Sequence, residues 1–273
     1  MGQLSCMSKK LDTLMKVTIS ILIIISTITV LITGFWNVVS NFVFPNLEWG
    51  LYNKDFFENL IVEMHGGIID LLIVGVILYG FEIRRAKNDS KQEAKDNLAD
   101  LSYYSGSDAS FKFYRALRRL ASLKVHSVNM PNGSLNDLNI KSLSLANSNL
   151  AAIDFSRSNL NNVILQKCDL QAAQFFDSKL QHCTFKELNL RRSKFIKANL
   201  KGMSFESCNI EGATFKDSNL QSAIFKGVDC RGVSFKGCNL RSASFRGARN
   251  VTRDMIEEAE DFRFVKYPEI ADD

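Results

Sequence analysis

Proline is nearly missing from this sequence. Only three occur in 273 residues, and none lies between Pro131 and Pro268. A stretch so free of proline suits an uninterrupted ladder of backbone hydrogen bonds. Histidine is as scarce: His65, His126 and His182 fall in three separate segments. No glycine-rich phosphate loop, G-x-S-x-G elbow or metal-spaced cluster accompanies them, so no catalytic, cofactor-binding or metal residue is assigned and enzymatic activity is not expected. Low-complexity tracts are absent too. With 46% hydrophobic residues, most of the chain is expected to be ordered or membrane-embedded.

What the chain does have is a period of five. From Leu135 to Phe245 every fifth residue is Leu, Ile or Phe, except Cys230, over twenty-three consecutive positions. Neither a helix at 3.6 nor a strand at 2 has that period. Two places before each large residue stands a second, mostly small series, including Ser158, Cys168, Ala173, Ser193, Ala213, Ser218 and Cys238. Gly202, Gly212, Gly227, Gly232, Gly237 and Gly247 fall two places after it, where tight turning favours a residue without a side chain. The backbone must turn once per five residues and send two side chains to one axis.

Units such as 198–202 (Ala-Asn-Leu-Lys-Gly) and 213–217 (Ala-Thr-Phe-Lys-Asp) resemble the pentapeptide-repeat family, in register from about Pro131 to Gly247. The resemblance implies a β-solenoid: a right-handed quadrilateral β-helix with four units per coil. From Phe175 to Phe245 the large residue alternates Phe with Leu, Ile or Cys. Four sides per coil would therefore line two opposite walls with Phe and the other two with Leu. Residues 135–245 would make about 5.5 coils, a rod roughly 27 Å long at the usual strand spacing. Cys168, Cys183, Cys208 and Cys238 take the small inward position and Cys230 the large one. They are expected to be compact core residues, not disulfide or zinc ligands, which fits a reducing compartment.

The first ninety residues differ. Val17–Trp36 carries no charge over twenty residues, enough to cross a hydrocarbon core of roughly 30 Å as a helix. A second apolar stretch, Leu60–Phe81, contains Glu63, His65 and Asp70. Lys9, Lys10 and Lys16 flank the first stretch and Arg84, Arg85 and Lys87 follow the second, whereas Glu48, Lys54, Asp55 and Glu58 lie between them. That asymmetry predicts a multi-pass inner (plasma) membrane protein with a two-span hairpin, its N-terminus and repeats in the cytoplasm, and Trp36, Trp49 and Tyr52 near the outer interface. Asp70 is the candidate intramembrane polar site, for function or for structural pairing. Cys6 could accept a lipid, although Met1-Gly2 lacks the pattern for myristoylation.

These readings divide the chain into a transmembrane hairpin (1–90), a charged linker with an amphipathic capping helix (91–130), the β-helix (131–250) and a C-terminal cap (251–273). In the linker, 84–101 is expected to continue the second span as a helix. The segment 111–125 carries Phe111, Tyr114, Leu117, Leu120 and Ala121 at helical spacing, with Ser107 or Asp108 as its cap. It could plug the open end of the β-helix or lie on an anionic membrane. Thr252–Asp261 reads as a capped helix followed by Phe262, Phe264 and Tyr267. The resemblance implies that such an end can carry a dimer contact, so Phe262 and Phe264 are candidates for a homo-oligomer.

Residues 131–249 contain seventeen Lys or Arg and nine Asp or Glu, a formal +8 against +5 for the whole chain. The family includes acidic rods that present a DNA-like surface to topoisomerases; the sign here is opposite. Folding by twenties spreads the basic residues over all four walls, which argues against a nucleic-acid stripe and fits solubility or attraction to an anionic bilayer. Phe176 and Ile196 each follow a core Phe, lie twenty residues apart and form the candidate protein-partner surface. The expected function is a membrane-anchored, non-enzymatic scaffold whose rod binds a protein. The alternatives are a membrane-perturbing effector working through the hairpin and Asp70, and a basic rod that binds nucleic acid or anionic lipid.

Overall fold

The computed structural model describes residues 2–43, 52–101, 104, 106 and 108–268, with the backbone alone at 2–16, 18 and 43. Trp49, Ser107 and the side chain of Cys6 lie outside the described residues. The chain forms two compact units, 1–87 and 88–273, taken in turn below.

The N-terminal unit is helical. Helix α1 (Gly2–Gly34) ends two residues short of the expected Trp36, because the chain breaks at Phe35 and turns by 82° into α2 (Trp36–Val43). Gly34 favours a helix end, and the Phe35 carbonyl accepts from the amides of Val38 and Val39, starting the new helix. The hydroxyls of Thr27, Thr29 and Thr33 donate to carbonyls four residues back, at 2.8, 2.9 and 2.8 Å, so these polar groups are satisfied within an apolar segment.

Helix α3 (Lys54–Leu101) joins the second apolar stretch to the charged 84–101 without a break, as the helix formers there predict. It is capped by Asn53, whose Oδ1 accepts from the Phe56 amide at 2.9 Å. Between α2 and the start of α3, Trp36 Nε1 donates to Glu58 Oε1 at 2.8 Å. By length and composition α3 is one helix able to cross a membrane, and Ile19–Gly34 with the bent continuation Trp36–Phe42 would be a second if counted as one span.

Residues 88–273 contain the solenoid. Three-residue strands β1 (Asn139–Lys141), β3 (Asn159–Asn161) and β5 (Lys179–Gln181) form one parallel sheet, and β2 (Ser144–Ala146), β4 (Ile164–Gln166) and β6 (Thr184–Lys186) another. Every pairing is offset by twenty residues, such as Leu160 on Leu180 and Leu165 on Phe185. Isolated bridges continue the offset to Asp229 and Arg249. Each coil is thus four pentapeptides, and the walls are named here by their inward residues: A (135, 155 and onward), B (140, 160), C (145, 165) and D (150, 170).

The interior is filled as the alternation predicts. On wall A, Phe155, Phe175, Phe195, Phe215 and Phe235 stack face to face with centroids 4.6 to 5.7 Å apart. Phe205, Phe225 and Phe245 stack likewise on wall C. Rings of the two walls meet edge-on across the axis, as Phe205 and Phe215 do at 5.3 Å. All are buried, and burial of such a side chain contributes about 1.5–3 kcal/mol.

The small series satisfies its own polar groups. Ser158, Ser193 and Ser218 donate to the carbonyls of Leu135, Leu170 and Phe195, each twenty-three residues back, at 2.7, 2.9 and 2.6 Å. Cys238 Sγ does the same to Phe215 at 2.7 Å. Ser and Cys therefore interchange in this column, because either can donate from a buried site. The residue two places after each large one has positive φ throughout, whether glycine (Gly212, +67°) or not (Ala172, +59°).

The ends differ from the sequence reading. The ladder begins at Asn129↔Asn149, ahead of Pro131, because Val128 and the fully buried Met130 already take the small and large inward positions. Helix α4 (Ala109–Ser122) buries Ala109, Phe113, Leu117 and Leu120 in the same core as the first coil. The expected stripe is shifted: Phe111 is exposed, since the spacing 113, 117, 120 selects the other side of the helix. Asp108 stands at the N-cap but makes no capping bond, its carboxylate being taken by Tyr104 OH at 2.6 Å and Lys112 Nζ at 3.1 Å.

At the other end α5 is short (Arg253–Glu257), with Thr252 accepting from the Met255 amide at 3.3 Å. The period does not end there. It resumes with two residues added, pairing Asn239 with Asp261 and Ser244 with Lys266.

Candidate interaction surfaces

The inward side chains occupy the axis of the rod, so its outward columns carry the chemistry. Folding residues 131–249 by the observed register gives wall A five basic and four acidic residues, wall C four and two, and wall D four and three. Wall B has four basic residues, Lys141, Lys179, Lys201 and Arg241, and no acidic one. Its other outward residues are Asn, Gln, Ser, Gly202 and His182, none of them apolar.

Elsewhere, basic residues meet acids in adjacent coils. The corner after wall A runs Asp137, Arg157, Asp177, Lys197, Asp217, alternating in sign, and Arg157 forks onto Asp137 at 2.6 and 2.5 Å. That guanidinium holds the Asp137 carboxyl below its usual range. Lys167 lies 3.6 Å from Glu187, and Arg191 lies 3.3 Å from Glu211. Such exposed pairs contribute little stability each, but they set an acid beside at least one base on each of the other three walls. The sequence contains this signal: counting acids column by column, as well as bases, would have singled out wall B.

Phe176 and Ile196 stand in one column of wall A in adjacent coils. The Arg157 amide donates to the Phe176 carbonyl at 2.7 Å, and the Asp177 amide to that of Ile196 at 2.9 Å. Both side chains are half-buried, so the patch is shallower than two fully exposed residues would make. Buried Ser156 lies beneath them and exposed Lys216 above.

Phe262 and Phe264 belong to the resumed coil. Phe262 sits in register above Leu240, at an inward position, yet is 39% exposed; Phe264 is 71% exposed, with Arg241 over its ring at 5.7 Å. Asp261 between the walls' last ladder bonds has its carboxyl drawn down to about 2, chiefly by hydrogen bonds from Arg263.

Asp70 is exposed on α3 and makes no hydrogen bond or ion pair among the described residues. His65 Nδ1, one turn earlier, donates to the Ile61 carbonyl at 2.8 Å, and its Nε2 lies 3.5 Å from Thr33 Oγ1. Aliphatic side chains are exposed along both α1 and α3, including Ile23 (57%), Val30 (57%), Val62 (70%) and Val76 (69%).

Cys168, Cys208, Cys230 and Cys238 are buried free thiols, and Cys183 is half-buried. Burial pushes Cys208 up to about 11 and Cys230 and Cys238 up to about 12. No group of three or more His, Cys, Asp or Glu able to hold a metal ion occurs among the described residues.

The sequence model of the pentapeptide repeat region matches residues 124–195 and 190–252, and this part of the chain is a pentapeptide-repeat array. No curated protein matches the chain. Among solved structures it is similar to QnrB1, a plasmid-mediated fluoroquinolone resistance protein, with 15% identity over 52% of this chain and 72% of that one and a TM-score of 0.28. Rfr23, a pentapeptide repeat protein from the cyanobacterium Cyanothece 51142, gives 18%, 51%, 86% and 0.26. HetL, involved in heterocyst differentiation regulation in Nostoc sp. strain PCC 7120, gives 14%, 50%, 86% and 0.15.

Proposed function

We propose that the chain is a membrane-anchored, non-enzymatic scaffold in which the N-terminal helices form a two-span anchor and the pentapeptide-repeat rod binds a protein partner from the cytoplasmic side. One contrast carries the reading. The repeats bury every large inward side chain, whereas the aliphatic side chains of α1 and of the first part of α3 remain exposed over two long helices. A folded chain keeps so large an apolar surface for lipid or for protein. Lysines before α1's apolar segment and Arg84, Arg85 and Lys87 after that of α3 favour a cytoplasmic location for the rod.

The rod acts by position. Its walls are braced from within by stacked rings, so a partner meets a surface that does not rearrange on binding. Phe176 and Ile196 are the contact on wall A, and Phe262 and Phe264 at the last coil are the contact for self-association. Helix α4 serves as the N-terminal cap of the rod. Replacing Phe176 and Ile196 with Ser abolishes partner capture from solubilised membranes without lowering the melting temperature; retained capture ends this assignment. Carbonate extraction tests the anchor separately, and release of the chain into the supernatant would refute it.

Asp70 favours a second reading, a membrane-perturbing effector, because it is an acid among aliphatic residues with no partner among the described ones. That reading predicts depolarisation on expression, abolished by Asp70→Asn. The scaffold predicts no depolarisation by either protein.

A further inference from the structure

Wall B differs from the other three in kind. Over residues 139–242 its outward positions hold Asn, Gln, Ser, one Gly, one His and four cations, with no acid and no apolar side chain; only the resumed coil beyond, paired Asn239 to Asp261, adds an acid and the exposed Phe264 beside Arg241. Lys141, Lys179, Lys201 and Arg241 are all exposed. The three lysines make no ion pair among the described residues, in contrast to Arg157, Lys167 and Arg191 on the other three faces. The backbone beneath them is a parallel sheet, so the wall is flat. It extends over five coil spacings, roughly 24 Å, with cations about 5 to 10 Å apart along it. That spacing is about the screening length at physiological salt, so the charges act as one patch.

We infer that wall B is the face by which the rod docks on the anionic headgroups of a bilayer. The partner class follows from what the wall lacks as much as from its charge. A protein interface needs buried aromatic or arginine anchors at its centre, and single-stranded nucleic acid needs rings on which bases stack; between Asn139 and Asn239 wall B offers neither, its one exposed ring, Phe264, lying at the far end beside Arg241. Lysines on flexible stems, set in a plane of amide side chains, suit a plane of phosphates that gives no fixed geometry to match. The other walls, each carrying acids, do not share this property. The inference rests on the anchored reading for one point only: an anchor would hold the rod at high effective concentration beside the lipid, where a modest attraction suffices.

The test is lysine acetylation of the full chain in lipid nanodiscs, read residue by residue by mass spectrometry. In discs containing phosphatidylglycerol, Lys141, Lys179 and Lys201 are expected to react roughly fivefold more slowly than in discs of phosphatidylcholine alone. Raised salt should remove the difference, and Lys186, Lys216, Lys226 and Lys236 on walls A and C should keep their rates. Equal protection on all walls, or none, overturns the inference. Protection by added duplex DNA but not by lipid assigns the wall to nucleic acid and also overturns it. If the chain fails to stay in the discs, the anchored reading falls by itself. Flotation with anionic vesicles then decides the wall: the variant K141Q/K179Q/K201Q/R241Q should float at least about tenfold less than the unaltered chain, and equal flotation refutes the assignment.

Discussion

Phe195 and Phe215, twenty residues apart, lie face to face with ring centroids 4.9 Å apart and planes 7° from parallel. Phe205 meets both edge-on from the opposite wall, at 6.0 and 5.3 Å. This arrangement is what the five-residue period becomes when four units close a coil. Phe215→Ala should cost about 3–5 kcal/mol in urea unfolding, because the stacked rings above and below hold the cavity open. Phe215→Leu, which keeps part of the side chain that Phe215→Ala removes, should cost less than the alanine variant.

Ser218 donates to the Phe195 carbonyl and accepts from the Ala198 amide at 2.9 Å, both buried. Ser218→Ala leaves both backbone groups without that partner and is expected to cost about 1–3 kcal/mol. Ser218→Cys should cost less, since Cys238 makes the equivalent bond one coil later. Chemical denaturation of the two variants side by side checks the order.

Ala172 occupies the turning position at φ +59°, where glycine stands in later coils. A Cβ there is strained, so Ala172→Gly should stabilise the rod by about 1 kcal/mol despite the added freedom of the unfolded chain. Gly232→Ala should do the reverse, its new Cβ meeting Gly212 Cα at 3.6 Å in a left-handed conformation. Thermal unfolding measures both.

Burial raises the thiols of Cys208, Cys230 and Cys238 to about 11, 12 and 12. The folded state therefore holds these protons more tightly than the unfolded one. Their contribution is complete below the ordinary thiol value of about 8.5 and is lost as pH rises toward 11–12. Stability against urea should fall across that window, and the fall should shrink in a Cys230→Leu variant. Native-state alkylation at neutral pH should spare all three and, among the five thiols of the repeats, reach the half-buried Cys183 first.

Much of the fold was legible because a solenoid is read locally. Each unit of five carries its own inward pair, and a twenty-residue register follows from four such units, so Phe over Phe and Leu over Leu could be anticipated. The ends were not, because neighbours set them. Phe113, not Phe111, faces the first coil; Met130 extends the array ahead of Pro131; and two added residues around α5 let Asp261 and Lys266 rejoin the ladder. Phe35 broke the first apolar segment although nothing in its composition marks a stop beyond Gly34. Wall B escaped notice for a different reason: its distinction is an absence of acids, visible only after every charged column is assigned to a coil.

The central claim is that one wall of the rod binds a protein partner at the membrane. A photoreactive phenylalanine analogue placed at 176 or 196, activated in intact membranes, tests it most directly when compared with the same group at Gln171 on wall D. The account predicts one product of constant mass from 176 and 196 and none from 171. No product from wall A, or the same products from both walls, would contradict it.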